Sequence, residues 1–179
     1  KVPQKQQGKV YGFINKFKAN PRSPGINYEK VHQFKDQTLR SVRIDQTYRA
    51  IVRKPDSDNV FLLLWVDHHD KAYNWATNKK CTLNPERQCI QIYDVDNSQL
   101  DKFKVDSSDQ KQKTNSLFSD FKDKHLIKLG VPEDLLTLVR SICTEDQFDK
   151  ISEALPAEAN EALTAIVAGY SLEEALREF

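Results

Sequence analysis

Between residues 4 and 19 apolar side chains recur three and four positions apart, at Val10, Phe13, Ile14 and Phe17, while Lys5, Lys9, Lys16 and Lys18 take the wet side. That spacing predicts an amphipathic helix, stopped by Asn20-Pro21 and Ser23-Pro24-Gly25. The period then changes. Leu39–Ile44 alternates, with Leu39, Ser41 and Arg43 to one side and Arg40, Val42 and Ile44 to the other. Asp45-Gln46-Thr47 makes a tight turn into Tyr48–Arg53, and the turn signal Pro55-Asp56-Ser57-Asp58-Asn59 precedes Val60–Val66, the most apolar run. Three strands joined by short turns predict an antiparallel meander. Residues 26–35, carrying Tyr28, Val31 and Phe34, read as a short strand or turn. Asp70–Asn78 reads as a short helix with Ala72, Tyr73 and Ala76 for packing, and 81–95 as two further extended segments around Asn84-Pro85.

From residue 97 to 115 the pattern disappears into polar, charge-mixed sequence, which reads as a linker. Everything after it has helical spacing. Pro132 and Pro156 mark helix starts, as does Thr144-Glu145-Asp146, and Ser171-Leu172-Glu173-Glu174 has the form of a capping box. The chain therefore divides into an α+β domain over 1–96, a linker over 97–115 and an acidic helical domain over 116–179.

Charge sharpens that division. The net charge is +1, yet residues 1–54 hold 13 Lys/Arg against 3 Asp/Glu, and residues 116–179 hold 6 against 13. A basic half suits phosphate neutralisation on DNA or RNA; equally, the acidic half can dock on it. No apolar run approaches membrane-spanning length, and Lys1, Lys5 and Lys9 open the chain without the apolar stretch of a signal peptide. Three cysteines without a C-x-x-C pair suit a reducing cytoplasm. With no methionine in the sequence, the native start is expected upstream of Lys1.

Two constellations offer chemistry. Arg40, Arg43, Arg49 and Arg53 lie on neighbouring strands beside a lysine-rich helix carrying Lys16, and the planar arginine fork suits phosphate. These five residues are the candidate nucleic-acid-binding set. Asp67-His68-His69-Asp70 has metal-ligand chemistry, but adjacent residues on a strand point to opposite faces, so no metal site is assigned. No nucleotide-binding G-x-x-x-x-G-K-[ST] or G-x-G-x-x-G is present, nor a G-x-S-x-G nucleophile elbow. The stretch Ile127–Pro132, with a single glycine, is a weak helix-hairpin-helix opening.

The basic helix, the strand Leu39-Arg40-Ser41-Val42-Arg43-Ile44, the Tyr48-Arg49 strand, an apolar strand and a final Asp-His-His-Asp-Lys-Ala-Tyr helix together resemble the RelE/ParE toxin superfold. More specifically, Ser23–Lys30, Leu39–Gln46 and Leu64–Asp70 are similar to the N-terminal region of bacterial UvrD/Rep-like superfamily I DNA helicases. Leu129–Glu133 and Ala168–Glu174 are similar to the helical segment that follows in those proteins. The resemblance implies an accessory region of an ATP-dependent DNA helicase that binds nucleic acid, its own motor or another protein. ATP and Mg²⁺ would belong to the motor, and this segment would need no cofactor. It also implies an alternative, a metal-independent RelE-type endoribonuclease, for which Arg40, Arg49, His69 and Tyr73 are the weak catalytic candidates. A pure protein-interaction module, as in ParE relatives that bind gyrase, is the third reading.

Overall fold

The computed structural model describes residues 2–54, 60–95 and 116–179. The turn expected at Pro55–Asn59 and the linker expected over 97–115 lie outside the described residues. The chain is α+β and forms two compact units, Lys1–Lys80 and Cys81–Phe179.

In the first unit, helix α1 (Gln4–Ala19) has the predicted limits and buries Phe13 and Phe17. Strands β1 (Glu29–Lys30), β2 (Leu39–Arg43), β3 (Tyr48–Arg53) and β4 (Leu62–His68) form an antiparallel sheet in the order β1-β2-β3-β4. The register sets its two faces. Val42 lies opposite Ala50, and Ala50 opposite Val66; these pack with Val52, Tyr28 and Phe61 against the phenylalanines of α1. On the other face Ile51 lies opposite Trp65, which stacks at 5.0 Å on Trp75 of helix α2 (His69–Thr77). Ile51, Ala72 and Ala76 are fully buried. Between Ile51 and Val52 the pairing jumps from Trp65 to Leu63. Leu64 is thus the extra residue of a bulge, which twists the strand locally.

The β2–β3 turn is held by one carboxylate. Asp45 Oδ1 accepts hydrogen bonds from the amides of Thr47 and Tyr48, both at 2.8 Å, and Oδ2 pairs with Lys9 Nζ of α1 at 2.9 Å. Burial by itself would raise the Asp45 carboxyl, but the Tyr48 amide, the Lys9 ammonium and the Thr47 amide outweigh it and lower it from 3.8 to about 2. A depressed carboxylate contributes stability above its unfolded value and loses it as pH falls through the folded one. The contribution is therefore expected to vanish between about pH 4 and pH 2. Since the carboxylate is partly solvated, its size is about 1 kcal/mol. Asp45→Asn should remove that pH dependence from acid unfolding curves.

The hairpin of β5 (Lys79–Asn84) and β6 (Cys89–Asp94) is a separate two-stranded sheet. From Cys81 onward the hairpin lies in the second unit together with the helices. Asn84 Nδ2 donates to the Ile127 carbonyl at 2.9 Å, Gln91 Nε2 to the Gly130 carbonyl at 2.6 Å, and the Tyr93 hydroxyl to Asp134 at 2.6 Å. Tyr93 also enters the helical core with Phe118, Leu126 and Leu163.

That core is built by short helices: α3 (Asp123–Lys128), α4 (Leu136–Arg140), α5 (Glu145–Ser152), α6 (Ala157–Val167) and α7 (Leu172–Glu178). Several predicted caps are in place. The Thr144 hydroxyl accepts from the Gln147 amide at 3.3 Å, and Ser171 and Glu174 form the capping box at the start of α7. Pro132 and Pro156 precede the first turn of their helices and occupy the capping position. Arg140 ties α4 to the segment before α3 by donating to the Phe118 carbonyl at 3.0 Å, and to the start of α3 by donating to Asp123 at 2.7 Å.

Gly130 has φ +98° and ends α3. Its amide donates to the Ile127 carbonyl, and the Val131 amide to that of Leu126, the arrangement of a glycine-terminated helix. The amide is thus committed within the chain, which removes it as a phosphate donor of a helix-hairpin-helix. A Cβ at this position would stand 3.1 Å from the Ala159 amide nitrogen. Gly130→Ala is therefore expected to cost about 1–2 kcal/mol in urea unfolding.

Candidate functional site

The register distributes the strand arginines over both faces of the sheet. Arg40 lies opposite Val52, on the side of α1, while Arg43 lies opposite Arg49, which in turn lies opposite Asp67, on the side of α2. Arg53 alternates to the side of Arg49. The four therefore do not form one basic surface. Arg49 is buried at 8% exposure, its NH1 donating to the carbonyls of Asp45 at 2.9 Å and Tyr48 at 3.2 Å. It serves the turn. Arg53 Nε reaches the Thr38 hydroxyl at 3.4 Å. Arg40 NH1 donates to the carbonyls of Gln37 at 2.6 Å and Leu39 at 2.8 Å. Arg43 is exposed. Lys16 is exposed on α1, and its ammonium lies over Gly25, where a Cβ would come within 2.6 Å of Nζ.

The end of β4 sends its two histidines apart. The His68 ring packs on Tyr48 at 4.4 Å, whereas His69, the first residue of α2, stacks on Tyr73 at 4.3 Å with the rings 24° from parallel. His69 Nδ1 is 2.9 Å from Asp70 Oδ1, and Tyr73 meets Phe34 edge-on at 5.5 Å. Among the described residues no cluster of three or more His, Cys, Asp or Glu is gathered as metal ligands.

His69 and Tyr73 open onto a groove of about 780 Å³, lined also by Lys30, His32, Asp70 and Asn74. His32 was not among the sequence candidates. It reaches the groove through the chain reversal between β1 and β2, a tertiary effect without local pattern. Two imidazoles, a phenol and an ammonium share this open groove with the carboxylates of Glu29 and Asp70, so it gathers groups able to accept and donate protons. Arg40 and Arg49, the other two catalytic candidates, do not line it.

A second constellation occupies the opposite face of the sheet. Tyr28 packs its ring against Phe17 at 6.5 Å and Phe61 at 6.1 Å. Its hydroxyl oxygen is shielded from solvent and has no hydrogen-bond partner among the described residues. Burial pushes this hydroxyl above its ordinary value, and the nearby charges of Arg40 and Arg22 pull it partway back. Lys30 lies directly opposite Arg40 in the β1–β2 register.

No family model, curated protein or solved structure matches the chain. The chemistry of these two places is therefore the basis of the functional reading. Among the described residues no helix is long and apolar enough to cross a membrane.

Proposed function

We propose that this chain is the accessory N-terminal region of a UvrD/Rep-like superfamily I ATP-dependent DNA helicase, and that its first unit, RelE/ParE-like in fold, binds nucleic acid. One observation carries the binding part of the reading. Residues 1–28 contain six Lys/Arg and no Asp or Glu, and Lys5, Lys9, Lys16 and Lys18 are exposed along α1. Among the described residues, only Lys9 of these is spent on an internal ion pair. Unbalanced, solvated ammonium groups attract a phosphate backbone by releasing its counterions.

The helicase context is supported by the likeness of Ser23–Lys30, Leu39–Gln46 and Leu64–Asp70 to the corresponding region of those enzymes. The complete reading frame tests it: a Walker A sequence downstream supports the context, and a neighbouring short antitoxin-like frame contradicts it. ATP and Mg²⁺ would be bound by the motor.

The binding itself is tested by replacing Lys5, Lys16 and Lys18 together with alanine. These exposed side chains carry little of the core, so the chain should remain folded while its affinity for labelled DNA at low salt falls at least about tenfold. Unchanged affinity would redirect the reading to a protein-interaction module.

A second reading, a metal-independent ribonuclease, is favoured by the joining of His32, His69 and Tyr73 in one groove. Cleavage through the RNA 2′-OH needs a base at that hydroxyl, an acid at the leaving oxygen and positive charge near the phosphate. Two histidines and Lys30 are the groups for those roles. Against this reading, the strand arginines are held elsewhere. The chain is therefore expected to leave free RNA intact. Cleavage of RNA on translating ribosomes that survives EDTA and disappears in both His32→Ala and His69→Ala would make the second reading the first.

A further inference from the structure

We infer that the groove between the β1–β2 reversal and helix α2 takes a nucleobase, and that an unpaired, amino-bearing base of a single strand stacks there on the exposed imidazole of His69. The inference rests on the nucleic-acid reading above and gives the base, as distinct from the phosphates, a place of its own.

A ladder of rings ends in this groove. Phe34 is buried at 1% exposure and meets Tyr73 edge-on at 5.5 Å. Tyr73 in turn carries His69 at 4.3 Å, the two rings 24° from parallel. His69 Nδ1 lies 2.9 Å from Asp70 Oδ1, which limits rotation of the imidazole. Tyr73 covers one face of that ring, yet the His69 side chain is still 46% exposed. A flat ring already held in place, with surface left to solvent, is a stacking platform. A base laid on it removes apolar area from water, and the protein side needs little further ordering.

The polar groups of the groove select the ligand. Glu29 and Asp70 line it together with one ammonium, that of Lys30. A phosphate inside would face two carboxylates, whereas the exocyclic amino group of cytosine, adenine or guanine donates to them. Each carboxylate has one oxygen engaged, Glu29 with the Asn27 amide and Asp70 with His69. The second oxygen of each has no partner among the described residues. The side-chain amides of Gln33 and Asn74 also line the groove and have no hydrogen-bond partner among the described residues. An amide both donates and accepts, as the edge of a base does. The volume of about 780 Å³ lies within the range of roughly 300–1,000 Å³ for small-ligand sites.

A base arrives either on a strand or on a free nucleotide. The strand fits better, because an open groove buries little of a small ligand and leaves affinity to the accompanying phosphates. Lys30 and the exposed Lys71, next to Asp70, are cations for them.

The whole 179-residue chain is titrated by fluorescence anisotropy with labelled single strands of dC and of dU, and by NMR with cytidine monophosphate. The two strands differ at the base edge by an amino group against a carbonyl. The dC strand is expected to bind about tenfold tighter, the effect of one hydrogen bond to a charged acceptor. His69→Ala should weaken dC binding about tenfold through lost stacking, and His69→Phe should restore it, since a phenyl ring also stacks. Neither should alter the log–log salt slope, because a stacked ring neutralises no phosphate. Glu29→Gln with Asp70→Asn should bring the dC and dU affinities together, as amides serve either base edge. Should His69→Ala fail to fold, this loss of preference decides in its place. Equal affinity of the parent for dC and dU, or dC binding indifferent to a folded His69→Ala, overturns the base site while the nucleic-acid reading stands. If the parent binds neither strand at low salt, that reading falls. Cytidine monophosphate then decides for the groove alone: shifts of the Tyr73 and Asn74 resonances that are absent in His69→Ala uphold it as a base site, and no shifts overturn it.

Discussion

Asn84→Ala is expected to destabilise the second unit by about 2–4 kcal/mol, although the residue lies at the very end of β5, beside the hairpin turn. Asn84 is 2% exposed. Its Oδ1 accepts from the amides of Glu86 at 3.1 Å and Arg87 at 3.0 Å, while Nδ2 donates to Gln91 at 3.3 Å and to the Ile127 carbonyl at 2.9 Å. Alanine leaves a buried carbonyl and the side-chain oxygen of Gln91 without their partner, which costs more than the bonds contribute when made. Both tryptophans, Trp65 and Trp75, lie in the first unit, so fluorescence and far-UV circular dichroism report on different parts. The urea transition of the helical signal should move to lower concentration. A shift confined to tryptophan fluorescence would place the hairpin with the first unit instead.

Ile51→Ala is the counterpart in the first unit, with an expected cost of about 2–5 kcal/mol. Ile51 is fully buried in the central strand β3, directly opposite Trp65. The cavity would open beneath Ala72 and Ala76 of α2, both also fully buried. A helix and a sheet packed this closely cannot collapse into the space without moving strand pairs. Tryptophan fluorescence should therefore register the earlier transition. A variant as stable as the parent would mean that α2 does not depend on this face of the sheet for its position.

Much of the fold was legible because it is local. Val10, Phe13, Ile14 and Phe17 repeat at the helical period, and α1 forms over the expected residues. The alternation in Leu39–Ile44 and Tyr48–Arg53 gives β2 and β3 and also places Arg40 and Arg43 on opposite faces. Ser171 and Glu174 announce their cap because its partners are three residues apart. The place of the hairpin is not legible in this way. Its allegiance is decided by the side chains of Asn84 and Gln91 reaching backbone carbonyls at Ile127 and Gly130, some forty positions later, and no periodicity reveals that.

The candidate site was legible as chemistry and not as geometry. Arginine is the natural phosphate ligand, but sequence does not reveal that Arg49 is turned into the β2–β3 turn or that Arg40 is anchored on carbonyls. His69 and Tyr73 are four apart on one helix and could be paired by spacing. His32 joins them only through the fold. Tyr28 reads only as part of a short strand or turn, and its ring packs against Phe17. That its hydroxyl is shielded and has no hydrogen-bond partner among the described residues is a tertiary effect without local pattern.

The central claim is that the basic surface of the first unit binds a phosphate backbone, and its most direct test is the salt dependence of DNA binding by the whole chain. Affinity for a labelled single strand is measured by anisotropy from low to physiological salt. With about three to five phosphates neutralised by α1 and the loop after it, log K against log salt should fall on a line of slope about −2 to −3.5. No binding at the lowest salt, or an affinity indifferent to salt, would contradict the account.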